Sequence, residues 1–382
     1  MHENEYAYAV ARIRANEVNL LTPAETEQLI SAESYEAALR LLGDKGWHTD
    51  GVGHDYAPML EEHVNAAWQL LKESAPDASL LDALVINNDF FNLKAALKAK
   101  FSDLDPSDYV VKPSVWDPAE IIGCVERNEL DSLPECMRDC AQAAYDAIVK
   151  LESGRLADTA IDTAALKTRK QFAEKSGSGL LMKEVELSCA SADIKTALRC
   201  ASAGRTAQYI KNALCPCESL DSDELIHAAF EGVDAVADML ANTELGSLAD
   251  SLKEGLTAFE KKCDELSAQQ MTEAKYTAFG PDPLAAYYNA VETETKNVRV
   301  ILSAKLNGFS AETIRARVRE VYAYDSRYGR QRQYLRLCLS RNAHLPRRRT
   351  VRGGADAPQN GGERVCGDIY HRGSCLRARK RA

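Results

Sequence analysis

The sequence predicts an all-α protein, and three observations carry that prediction. Apolar residues recur at alternating steps of three and four along most of the chain, the period of a helix with one buried face. Capping residues stand ahead of those runs, twice with proline next in line, at Thr22-Pro23 and Asp117-Pro118. Ala, Leu, Glu and Lys are abundant while aromatics make up only 7%, a balance that favours helix over sheet. With 45% apolar and 27% charged residues in 382, the composition is that of a globular chain large enough for two or three domains.

Taken in order, Tyr6 to Leu21 reads as a first helix, with Arg12 and Arg14 flanking Ile13. Thr22-Pro23-Ala24-Glu25 is a capping box: a hydroxyl to receive the first orphan N–H groups, proline at the first helical position and glutamate at the third. Ser31 to Ser34 starts a further helix through Leu42, and Gly43 and Gly46 mark a loop. Residues 56–75 form a helix with Met59, Leu60, Val64, Ala67, Trp68 and Leu71 inward, stopped at Ala75-Pro76. Residues 79–101 place Phe90, Leu93, Leu97 and Phe101 on one face. A Pro-containing connection over 102–116 holds one strand-like run, Tyr109-Val110-Val111. Asp117 then caps a helix as Thr22 does, a long helical region spans 134–175, and Ser176 to Gly179 is a loop. Residues 180–202 are helical, Asp221 caps Leu225 to Phe230, and 233–274 reads as helix up to Gly280-Pro281.

The stretch 287–323 is the most explicit. Tyr288, Val291, Thr295, Val298 and Leu302 form one apolar stripe, with Glu292 and Lys296 four apart on the outer side. Asn307-Gly308 ends that helix, and Ser310 caps another with Ile314, Val318 and Val321 inward. Its centre has two echoes upstream. The pattern Asn/Asp, aliphatic, Lys/Arg, two residues, Leu fits Asn92-Leu93-Lys94, Asp193-Ile194-Lys195 and Asn297-Val298-Arg299, at spacings of 101 and 104 residues. A capped helix follows each, after 25, 28 and 13 residues. Two readings stand: unrelated amphipathic helices, or three similar bundles at 1–110, 111–215 and 216–323, followed by a tail at 324–382. The recurrent charges Lys94, Lys195 and Arg299 either line a surface facing a partner or pair with nearby acids such as Asp89 and Glu294.

Reaction motifs are missing. No P-loop, dinucleotide fingerprint, His-Glu-x-x-His or Gly-x-Ser-x-Gly occurs, so no catalytic residue, cofactor or metal is assigned. His48, His54 and His63 do not share a helix face. Cys136/Cys140 and Cys215/Cys217 could each supply half a metal site, yet no second pair accompanies them, and the eleven cysteines read as ordinary thiols. No apolar run approaches the roughly 18 residues needed to cross a bilayer, and the polar start carries no signal pattern, which gives the expectation of a cytosolic protein. Residues 1–324 hold 32 Lys and Arg against 53 Asp and Glu, a net −21. Such a body argues against nucleic acid and suits a basic protein partner, or solubility alone.

The chain resembles the C subunits of bacterial and archaeal A/V-type ATP synthases, relatives of the d subunit of the eukaryotic V-ATPase. The resemblance rests on Tyr6 to Arg14, on Asp89 with Asn92-Leu93-Lys94, on Phe279-Gly280 with Pro283-Leu284, and on Glu294, Asn297-Val298-Arg299, Lys305, Ile314-Arg315 and Arg319 to Tyr322. It departs at Asp193, where an Asn is expected. The resemblance implies a funnel of three pseudosymmetric helical bundles on the cytoplasmic face of the membrane. Such a subunit is a non-catalytic part of the central stalk: it sits on the proteolipid ring, receives shaft subunits of the D and F type, and has no small-molecule substrate. The direction of the reaction and the coupling ion, H+ or Na+, stay open, as do an unrelated helical scaffold and, third, a helical enzyme, which would need a ligand pocket with convergent perturbed acids.

After Ala323 the text changes. Residues 325–382 hold 15 Lys and Arg, only one of them Lys, against 4 acids, a net +11. One reading is an RNA- or lipid-binding arm. The favoured one is a frame-shifted, disordered tail beyond the family's usual end.

Overall fold

Helix after helix starts where a capping side chain stands. The computed structural model describes residues 5–102, 104–215, 217–319 and 322, so the sequence-based readings of the tail fall outside the described residues. The first four helices are α1 (Ala7–Glu17), α2 (Pro23–Ser31), α3 (Tyr35–Asp44) and α4 (Ala57–Ser74). Then come α5 (Ala78–Lys100), α6 (Pro118–Glu126), α7 (Glu135–Leu151) and α8 (Gly154–Ser176). They are followed by α9 (Gly179–Ser202), α10 (Ala207–Ala213), α11 (Ser222–Glu231) and α12 (Val233–Ala241). The last are α13 (Ala249–Glu254), α14 (Leu256–Thr272), α15 (Asp282–Leu306) and α16 (Ala311–Arg317). Among the described residues there is no strand.

The capping box at Thr22 is present in full: the Thr22 hydroxyl accepts from Glu25 N–H, and the Glu25 carboxylate accepts from Thr22 N–H. Asp117, Asp221 and Ser310 cap α6, α11 and α16 through their side chains. Two expected long helical regions are broken. Between α7 and α8, Glu152 takes a left-handed conformation with φ of 48° and Ser153 caps the new helix. Between α13 and α14, Gly255 has φ of 123°, a conformation that glycine adopts without steric cost. The strand-like run at 109–111 is not a strand: Pro106–Tyr109 is a short 3-10 turn. Val318 lies beyond the end of α16, and Val321 is outside the described residues. Phe101, expected inward, caps α5 and is 43% exposed.

The apolar stripe of α15 is buried throughout, from Tyr288 to Leu302. Four buried clusters organise the packing. One gathers α5 to α8 around Phe90, Leu93, Ile121, Met137 and Ile161. A second gathers α9 to α14 around Ile194, Leu225, Leu240 and Phe259. The third joins α2 to α4 with α15 and α16, packing Leu29, Leu42 and Leu60 against Val298, Leu302 and Ile314. A central cluster joins α1, α4, α5, α9 and α15 through Ile13, Leu71, Leu80, Leu181 and Tyr288. Each fully buried Leu or Ile contributes roughly 1.5–3 kcal/mol, so these clusters hold the helices far more firmly than the surface ion pairs do.

Candidate functional site

The three copies of the sequence pattern fall on the three helices α5, α9 and α15, and in each the Asn or Asp is buried. Asn92 forms a two-way clamp on Val111: its Oδ1 accepts from Val111 N–H at 2.8 Å and its Nδ2 donates to Val111 O at 3.0 Å. Asn297 repeats the clamp on Arg319, at 2.9 and 3.0 Å. Asp193 accepts from Cys215 N–H at 2.8 Å, and its other oxygen faces the Cys217 thiol at 3.4 Å. That difference accounts for the Asp. At 92 and 297 the second partner is a carbonyl, which needs an amide donor, whereas at 193 it is a thiol, which a carboxylate oxygen can accept from.

On each helix a carboxylate, three residues before the clamp on α5 and α15 and seven before it on α9, holds the backbone just ahead of a capped helix. Asp89 accepts from Val115 and Trp116 N–H, immediately before Asp117. Glu186 accepts from Glu218 and Ser219 N–H, just before Asp221. Glu294 accepts from Leu21 N–H at 3.3 Å, immediately before Thr22. A lysine completes two of the three sets. Lys100 donates to the carbonyls of Val125 and Glu126 at the end of α6, and Lys305 donates to those of Ile30 and Ala32 at the end of α2. The corresponding position of α9 is Ala201. By these bonds α2 stands to α15 as α6 stands to α5. The order of capped helices along the sequence pairs α15 with α16 instead.

At the third position, then, one long helix holds two stretches far apart in the sequence: Asn297 grips Arg319 while Glu294 grips Leu21. The two stretches also touch directly, since the buried Tyr322 hydroxyl donates to Glu17, which is paired with Arg14 at 2.7 Å.

Burial governs the electrostatics of these groups. Desolvation raises Asp89 to about 6, against the pull of the Val115 and Trp116 N–H groups, and raises Asp193 to about 6 against Cys215 N–H. Glu186 goes the other way: burial is outweighed by hydrogen bonds from Ser219 and Lys170, and its carboxyl stays below the usual range. Glu294 is pushed up to about 8 by burial, with a single weak N–H partner in opposition and Glu25 nearby. His63, stacked on Trp47 at 3.7 Å, is pushed down to about 4 by burial. Its Nε2 lies 3.9 Å from Glu294, too far for a hydrogen bond, and burial disfavours the charged form of both groups.

A pH prediction follows from the signs. His63 binds its proton more tightly when unfolded, so it makes stability rise between about pH 4 and 6.5. Glu294 binds its proton more tightly when folded, so it makes stability fall from the ordinary glutamate range up to about pH 8. The two oppose each other at low pH and leave Glu294 uncompensated above it. Glu294→Gln is therefore expected to remove a fall of about 1.4 kcal/mol per pH unit between about pH 6.5 and 8. Urea denaturation across that range checks it, and parallel curves for the two proteins would contradict it.

The recurrent charges part company. Lys94 pairs with Asp162 of α8, and Lys195 pairs with Glu260 of α14 at 3.0 Å. Both acids come from helices packed alongside rather than from Asp89 or Glu294. Arg299 is exposed and has no ion-pair partner among the described residues. No hydrogen bond joins any two of the three.

The histidine trio is not brought together. His48 contacts Glu62, His54 meets the Tyr35 ring edge-on, and His63 is buried against Trp47. Cys140 is buried, which pushes its thiol up to about 12, and donates to Met137 O. Among the described residues no group of three or more His, Cys, Asp or Glu is placed to hold a metal ion. Nor, among them, is any helix long and apolar enough to cross a membrane.

The chain is similar to the C subunit of the V-type sodium ATPase of Enterococcus hirae, with 23% identity over 83% of this chain and 99% of the relative. It is also similar to the C subunits of the A-type ATP synthases of Desulfurococcus sp., at 25% identity, and Thermococcus kodakarensis, at 23%, each over 83% of this chain and 91% of the relative. The profile of the family described as ATP synthase (C/AC39) subunit matches residues 9–317, most of the chain. With its matched region spanning α1 to α16, the chain belongs to the ATP synthase (C/AC39) subunit family.

Proposed function

We propose that this chain is a non-catalytic central-stalk subunit of a V/A-type ATPase or ATP synthase. In this reading it joins shaft subunits of the D and F type to the membrane proteolipid ring at the cytoplasmic face, during H+ or Na+ translocation. The observation that carries the reading, beside family membership, is the repeated set of buried locks on α5, α9 and α15. It supports three related units: α5 to α8, α9 to α14, and α15 and α16 completed by α2 to α4. A threefold socket of this kind can join a ring of many subunits to an asymmetric shaft. Its locks tie each connection to a long helix, so that load passes through close-packed helices with little give.

Of the three recurrent charges, Arg299 is the best placed to meet a partner, because Lys94 and Lys195 already have acids of their own. Arg299→Glu is expected to weaken retention in the complex. Lys94→Ala is expected to change the stability of the free chain by less than about 1 kcal/mol, as exposed ion pairs do. The acidic body further predicts that binding to purified shaft subunits weakens with salt.

A tagged chain recovered from native membranes tests the reading. Catalytic ATPase subunits and proteolipid are expected to come with it. Recovery of the chain without either would point to a helical scaffold of another kind.

A further inference from the structure

The three long helices differ at their C-terminal ends. Nine and twelve residues after the clamp, α5 and α15 lead to apolar pairs, Phe101 with Leu104 and Leu306 with Phe309, each at least 37% exposed. At the same positions α9 leads to Ser202 and Arg205. These residues border a cleft of about 780 Å3 between α8, α9 and α10, lined among others by Arg155, Arg199, Arg205 and Tyr209. Clefts of this size accommodate small molecules.

Three guanidinium groups on one cleft are unusual in a body of net charge −21. None has an ion-pair partner among the described residues; Arg205 rests over the Tyr209 ring at 5.4 Å. The acids that also line the cleft are already neutralised, Asp158 by Lys98 at 2.8 Å and Asp162 by Lys94. Asp193 is buried beneath it and committed to Cys215 and Cys217. All three line the same cleft as the partly buried Cys200. The N-terminal end of α8 at the cleft, which carries Arg155, offsets the partial negative charge at the end of α9.

We propose that this cleft is a binding site for a phosphorylated anion, held by Arg155, Arg199 and Arg205. Guanidinium groups bind phosphoryl oxygens through paired, charge-assisted hydrogen bonds, and three of them match a group bearing more than one negative charge. The source is either a soluble phosphate ester or a phospholipid headgroup, and the chemistry of recognition is the same.

Cys200 is a built-in local reporter, which matters because the basic residues beyond 324 will also attract anions. In the full-length chain, alkylation of Cys200 is followed by mass spectrometry of its peptide, with the other cysteines as internal references. Pyrophosphate and ATP form one arm. The other uses phosphatidylcholine vesicles with and without phosphatidylinositol phosphate. The expected result is saturable protection of Cys200 by at least one arm, and the protecting arm identifies the source. Arg199→Ala and Arg205→Ala should each raise the concentration needed by about tenfold. Arg299→Ala should leave it unchanged. Absence of protection by every probe in the wild-type chain would overturn the proposal, as would equal protection in folded variants lacking both arginines. The wild-type measurement needs no variant to fold.

Discussion

Replacing Leu302 with alanine is expected to lower the stability of the chain by about 2–5 kcal/mol, the range for emptying a fully buried leucine site. Leu302 has no exposed surface and lies in the cluster that packs Leu29, Leu42 and Leu60 against α15. The cavity would open at the seam between α15 and α2 to α4 rather than inside one continuous segment. Amide hydrogen exchange should therefore quicken first in α2 to α4, at the opposite end of the sequence from the substitution. Denaturation gives the magnitude and exchange gives the location. A loss below about 1 kcal/mol, with protection of α2 to α4 unchanged, would mean that α2 to α4 do not depend on α15.

The second large effect is expected at Asn297. Alanine there removes both bonds to Arg319 and leaves a part-buried N–H and carbonyl without their partner, at a cost of about 1–3 kcal/mol. Asn92→Ala should behave alike, since its clamp on Val111 has the same geometry. Asn297→Asp should not rescue the site, because a carboxylate would face the Arg319 carbonyl. Asp193→Asn should cost less than either alanine change, because the amide can still accept from Cys215 N–H. Equilibrium unfolding of the set checks the ranking. If Asn297→Asp proved neutral, the two-way clamp would not be what holds Arg319.

Much of this fold is readable in the sequence, for a physical reason. Caps such as Thr22, Asp117 and Asp221, and the stripe from Tyr288 to Leu302, act over one or two helical turns, so their signals are local. What the recurrent Asn and Asp bind is not readable. Their partners lie 19 to 22 residues downstream in irregular backbone that has no periodicity. The bond from Leu21 N–H to Glu294 spans 273 residues and leaves no local trace. For the same reason the sequence pairs α15 with α16 and not with α2. The breaks at Glu152 and Gly255 escape the pattern because a helical period runs on either side of each. Lys94, Lys195 and Arg299 are recognisable as equivalent, yet their surroundings depend on what α8 and α14 place beside them.

The proposed role is mechanical: the chain links rotation of the shaft to the ion-carrying ring. Ion uptake driven by ATP, measured in membrane vesicles with the chain present, depleted and restored, tests it most directly. ATP hydrolysis by the catalytic sector is followed in parallel. Depletion is predicted to abolish uptake while hydrolysis persists, and adding back the folded chain to restore uptake. Undiminished uptake per ATP in vesicles lacking the chain would contradict it.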